Sequence, residues 1–136
     1  MTITKHFTAA DFAAALEAGD TTVVKQLSGG VAIRACLDRD FDGDIPSPEV
    51  YTEKDIAAWE AGDWTFWSLT VTVLVAGRRI GIAGSLSDID CVDDEYINAD
   101  HLADVANEIV AGANVAQMVR GFAAEVVKAA KQFDNQ

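Results

Sequence analysis

At 136 residues, half of them hydrophobic, the chain is long enough to bury a core without staples and too apolar to be a disordered acidic tail. A net charge of −12 and a pI near 4.3 set it against DNA, RNA and anionic membranes, and favour a partner with a basic surface. No run of about 18 apolar residues could span a membrane, the N-terminus lacks a signal-peptide core, and Cys36 and Cys91 have no paired spacing, so one domain over residues 1–136 in a reducing cytosol is expected.

Thr8 is placed to cap a helix over Ala9 to Ala18, with Asp11 at the third helical position and Gly19 at the end. Asp20 repeats that capping logic for a short helix through Leu27, although Thr21 to Val24 are β-branched. Val31 to Leu37 alternates as a strand. Thr52 and Asp55 open a second helix carrying Ile56, Ala57 and Trp59. The strongest strand pattern runs from Trp64 to Val75, with Trp67, Leu69, Val71, Val73 and Val75 on one face. A turn over Ala76 to Arg79 leads to its hairpin partner, Ile80 to Leu86, and this hairpin is expected in the middle of the sheet. Gly81 and Gly84 mark a bulge or a close approach of another backbone.

Asn98 can cap a helix that turns Leu102, Val105, Ala106 and Ile109 inward. The helical pattern resumes with Val115, Val119, Phe122, Val126 and Ala130, and Gly112 and Asn114 either break or bend it. Strands in mid-chain with helices at both ends indicate an α+β fold. Its helices pack on one face of a small antiparallel sheet, with a long helical segment at the C-terminus.

The most specific motif is the stretch Asp38 to Glu49. It matches a twelve-residue calcium loop, with Asp38, Asp40 and Asp42 at positions 1, 3 and 5, Gly43 at 6, Asp44 offering its carbonyl, and Glu49 closing the site. The flanks fit less well. A strand rather than a helix leads in, Pro46 and Pro48 fall inside the loop, and no second such loop exists to pair with it.

Charge is also segregated. The stretches 38–63 and 88–108 hold 17 of the 22 acids and 2 of the 10 bases, which is −15, while the remainder sums to +3. A solvated face is the ordinary explanation for a charge run. Crowded like charges repel, however, and either a cation or a basic groove normally filled by nucleic acid would relieve the repulsion. The partner-facing carboxylates on that reading are Asp38, Asp40, Asp42, Asp44, Asp88, Asp90, Asp93, Asp94 and Glu95.

Catalytic patterns are missing. His6 and His101 are the only histidines, Gly77 to Gly84 lacks the Lys-Ser/Thr ending of a phosphate loop, and Ser85 and Ser87 have no nucleophile-elbow setting. A carboxylate-based hydrolase is the weakest of the three readings, because with so many acids any chance pairing carries little information. Trp59, Trp64 and Trp67 cluster in sequence with Tyr51 and Phe66; core packing explains them, and Phe66, on the polar face of its strand, is the candidate for an exposed hot spot.

The centre of the chain resembles a loose group of small acidic proteins encoded by phages and plasmids. The resemblance rests on Ala57 to Trp64 (Ala-Ala-Trp-Glu-Ala-Gly-Asp-Trp), the strand Leu69 to Val75, the run Ile80 to Asp90, and Val105 to Val110. It implies an accessory protein of a mobile element in the host cytoplasm. It also invites comparison, at the level of class, with anti-restriction and anti-CRISPR proteins that are similar to DNA in surface charge. The expectation is therefore a non-enzymatic inhibitor whose carboxylate face occupies a basic, nucleic-acid-binding host protein, with no direct nucleic-acid or membrane contact. The alternative is a calcium-binding module built on residues 38–49.

Overall fold

The computed structural model describes residues 4–39, 45–89 and 99–135. In chain order these form α1 (Ala9–Glu17), β1 (Thr22–Gln26), β2 (Val31–Arg39), α2 (Glu53–Glu60), β3 (Trp67–Val75), β4 (Arg78–Ile89), α3 (Ala99–Gly112) and α4 (Val115–Asp134). The strands make one antiparallel sheet in the order β1-β2-β3-β4, and the fold is α+β.

The core lies between one sheet face and the helices α1 and α3. Ile33, Ala35 and Leu37 of β2 and Leu69 and Val71 of β3 meet Phe12 of α1 and Leu102, Val105 and Ala106 of α3, all buried. The period-2 pattern of the strands and the i, i+3, i+4 pattern of α3 put these residues on facing surfaces. Both capping boxes form as expected. In α1 the Thr8 hydroxyl accepts from the Asp11 N–H while the Asp11 carboxylate accepts from the Thr8 N–H, and Thr52 and Asp55 do the same in α2.

Three expectations are corrected. Residues 22–26 form β1 rather than a short helix, because the β-branched run Thr22 to Val24 gains a ladder with Cys36 to Ala32 that a helix capped by Asp20 would forgo. The β3–β4 hairpin is not central: β2 pairs along the whole of β3, which leaves β4 at the edge. Strand β3 begins at Trp67 rather than Trp64, since Trp64 and Phe66 are held in a ring cluster before it starts.

The break between the last two helices is now defined. Helix α3 ends at Gly112, and Asn114, in a left-handed conformation, caps α4 by accepting the Gln117 N–H through its side chain. Strand β4 uses twelve residues against nine of β3, and three register shifts absorb the difference. The two glycines of β4 are places of close approach. A Cβ at Gly84 would lie 3.0 Å from Ile109 Cγ2 of α3, and one at Gly81 would lie 2.9 Å from Met118 Cε of α4.

Candidate functional site

Three residues on adjacent strands share one row across the end of the sheet: Arg39 of β2, Trp67 of β3 and Ile89 of β4. Strands pair at about 4.8 Å, so the ends of β2 and β4 lie roughly 10 Å apart on either side of β3. The two acidic stretches therefore leave the sheet side by side, although about fifty residues separate them in sequence. Asp40, Asp42 and Asp44, which follow β2, lie outside the described residues, as do Asp90, Asp93, Asp94 and Glu95, which follow β4.

Asp38 and Asp88 flank that row and are both exposed. Asp38 pairs in register with Ser68, and its carboxylate lies 4.0 Å from the half-buried Cys36 thiol, whose sulfur in turn accepts a 3.8 Å contact from the Thr22 hydroxyl. Asp88 has φ +58° at a bulge in which Ser87 and Asp88 together face Ser68. A short polar side chain tolerates this left-handed conformation better than most, and the bulge turns the strand end. Arg39, one of two bases in the first acidic stretch, has its guanidinium carbon 5.2 Å from the centre of the Trp67 ring. That placement rests the cation on an indole face.

The calcium-loop reading meets a specific geometry. Strand β2 runs through Arg39, so the first ligand position, Asp38, is a strand residue rather than the end of an entering helix. Glu49 lies in an exposed turn over residues 48–50, where its N–H donates to the Ser47 hydroxyl, and α2 starts only at Glu53. The element is thus strand, loop, turn and helix, not the helix–loop–helix of a paired EF-hand. Among the described residues no group of three or more His, Cys, Asp or Glu side chains is gathered to hold a metal ion.

The aromatic residues fasten this end together. Tyr51, Trp64 and Phe66 form a mutual cluster with ring centres 5.2 to 6.1 Å apart, and the Trp64 indole N–H donates to the Asp55 carbonyl at 2.9 Å. Phe66 is buried, which removes it as an exposed hot spot and assigns it to packing. The cluster ties α2, with its acids Glu53 and Glu60 exposed, to the start of β3.

The second acidic stretch also carries a group of acids beyond the nine carboxylates expected to face a partner. Asp100, Asp104 and Glu108 recur every four residues along α3 and are all exposed, on the side opposite Leu102, Val105 and Ala106. Each step is about 6 Å along the helix. Their spacing was the signal that could have found them, since i, i+4 residues share a face. No protein-family model, no characterised protein and no solved structure matches this chain.

Proposed function

We propose that this is an acidic interaction protein, a counter-defence inhibitor of a mobile element, whose carboxylate face occupies the basic nucleic-acid-binding surface of a host protein. The observation that carries this reading is the shared row Arg39–Trp67–Ile89, from which both acidic stretches depart. Asp38 and Asp88 mark its borders, and the Asp100–Asp104–Glu108 stripe supplies a further line of exposed negative charge. Concentrating carboxylates in this way raises self-repulsion, and a polycationic groove reverses the sign of that term. Association then releases the counterions held near both surfaces, which makes it steeply salt-dependent.

The test uses immobilised protein to capture DNA-binding host proteins, followed by competition against duplex DNA for each captured protein. The expected result is displacement of DNA, an affinity that falls at least tenfold between about 50 and 200 mM salt, and a further large loss in the D38K/D88K double variant. Capture that is indifferent to salt and to charge reversal would overturn the reading. Calcium titration of chelator-treated protein supplies the contrast, because a response to chelator with no salt-sensitive partner supports the calcium module instead.

A further inference from the structure

The last fourteen residues of α4, Gly121 to Asp134, are all exposed, whereas its first turns rest on β4 through Met118 beside Gly81. This free stretch is apolar on one side. Phe122, Val126 and Phe133 are 37, 49 and 76 % exposed, and with Ala129 they are spaced four, three and four residues apart. That alternation is the seam of a coiled coil, and it continues the half-buried Val115 and Val119. A lone surface helix has no use for such a seam.

Charge selects what covers it. Residues 1–108 hold 20 acids and 7 bases, while residues 109–136 hold two acids and three bases. A second copy of the chain is therefore repelled by the net charge of the body, whereas α4 adds nothing to that repulsion. It is repelled least when the two acidic bodies lie at opposite ends of the paired helices. The seam allows that arrangement in a self-complementary register. Antiparallel overlap of residues 122–133 sets Phe122 against Phe133 of the other copy and Val126 against its Ala129. Ala123 then faces Ala130, and Glu125 faces Gln132, so no like charges are opposed. The overlap is about 18 Å long. Four Phe rings and their flanks bring the buried area to the order of 1,000 Å², the lower edge of a specific interface.

We infer that α4 is a homodimerisation element, pairing antiparallel with α4 of a second copy through Phe122, Val126, Ala129 and Phe133. The contact is concentration-dependent, and it responds to salt in the opposite sense from the acidic face. Screening relieves repulsion between the bodies, so the dimer tightens as salt rises.

Sedimentation equilibrium and light scattering on the full chain test this. The expected result is twice the chain mass at high micromolar concentration, a dissociation constant that falls several-fold between about 50 and 500 mM salt, and a monomer for V126D and F133D. Both substitutions lie on the exposed stretch, so an unchanged circular dichroism spectrum and unfolding midpoint separate lost association from lost folding. An N135C variant, with the unmodified chain as control for Cys36 and Cys91, reads the orientation. Antiparallel pairing holds the two ends roughly 20 Å apart and prevents a disulfide. A chain that stays monomeric up to millimolar concentration, a dimer that survives both substitutions, or efficient crosslinking through N135C would each overturn the inference. Weakening of the dimer by salt would do so as well.

Discussion

The side chain of Asn107 on α3 holds the backbone of Phe7 from both sides: its carbonyl oxygen accepts the Phe7 N–H at 2.9 Å, and its amide donates to the Phe7 C=O at 2.9 Å. Both residues are buried. One amide thus satisfies two backbone groups that no strand or helix reaches, and it fixes where the chain enters α1. The N107A variant leaves both groups buried without partners, and a loss of about 2–4 kcal/mol in urea unfolding is expected. The N107D variant is more informative. Its carboxylate can accept the N–H but opposes the Phe7 carbonyl, so burial raises its pKa in the folded state. Stability of N107D relative to the native chain should then recover as pH falls through that raised value, because only the protonated acid can donate.

The β3–β4 turn places two residues at positive φ, Ala76 at 51° and Gly77 at 80°. This is the geometry of the tight hairpin turn that matches strand twist, and it suits Asn-Gly far better than Ala-Gly. Ala76 keeps its N–H bonded to the Gly30 carbonyl at 2.9 Å. The A76N variant retains that bond and removes part of the left-handed penalty, so a gain of about 0.5–1 kcal/mol is expected. A76V should lose at least as much. Thermal midpoints of the two variants check both signs.

Gly84 and Gly81 should respond differently to the same added methyl. At Gly84 the obstacle is Ile109 Cγ2, 3.0 Å away on a β-branched side chain fixed to α3. At Gly81 it is the terminal methyl of Met118, which can swing aside. Overpacking at Gly84 predicts a loss of about 1–3 kcal/mol for G84A and a much smaller effect for G81A. Adding I109A to G84A should restore part of the loss, which a double-mutant cycle measures directly.

Asp11 links helix capping to pH. Burial pushes its carboxyl up, but the Thr8 backbone N–H, the Lys25 ammonium and the Thr8 hydroxyl outweigh that, and the net effect holds it below its ordinary value. Lys25 Nζ lies 3.1 Å from its Oδ2. A carboxyl depressed in the folded state contributes stability that is present above the unfolded pKa of about 3.9 and is lost as pH falls through the folded value. D11N should therefore be less stable than the native chain at pH 7 by about 1 kcal/mol or less, given the partial exposure. The gap should close in acid.

Asp104 sits between Asp100 and Glu108, four residues from each on exposed helix. D104K replaces two like-charge neighbours with two opposite ones, and a gain of about 0.5–1 kcal/mol is expected at low salt, fading at high salt. On the proposed function the same change weakens partner binding. A variant that is more stable and binds less well is the pattern expected of an acidic stripe held for recognition.

Much of this was legible in residue pattern. Thr8 and Asp11, like Thr52 and Asp55, announce their capping boxes through local spacing alone, and the alternation Leu69, Val71, Val73 picks out the three most deeply buried residues of β3. Residues 22–26 read as a helix because Asp20 is a good local cap, while the ladder that outweighs it comes from Cys36 to Ala32, ten or so residues away. The site was half visible. The acidic stretches could be counted, but that they leave the sheet on one row depends on β3 lying between β2 and β4, a fact of register that composition does not encode. The burial of Phe66 was hidden for a similar reason, because Tyr51 and Trp64 enclose it only once α2 is tied to the start of β3.

The three register shifts of β4 bear on what the molecule does when crowded. An edge strand carrying exposed Ile82 and Leu86 would ordinarily be a template on which a neighbouring chain could extend the sheet. Each bulge interrupts the even ladder of donors and acceptors that such growth requires, and the opposite edge, β1, is only five residues long. Among the described strands, one border is interrupted by bulges and the other offers only a short row for fibrillar stacking. Copies of this chain that meet at high concentration are turned away from the sheet edges and left to find one another through helices.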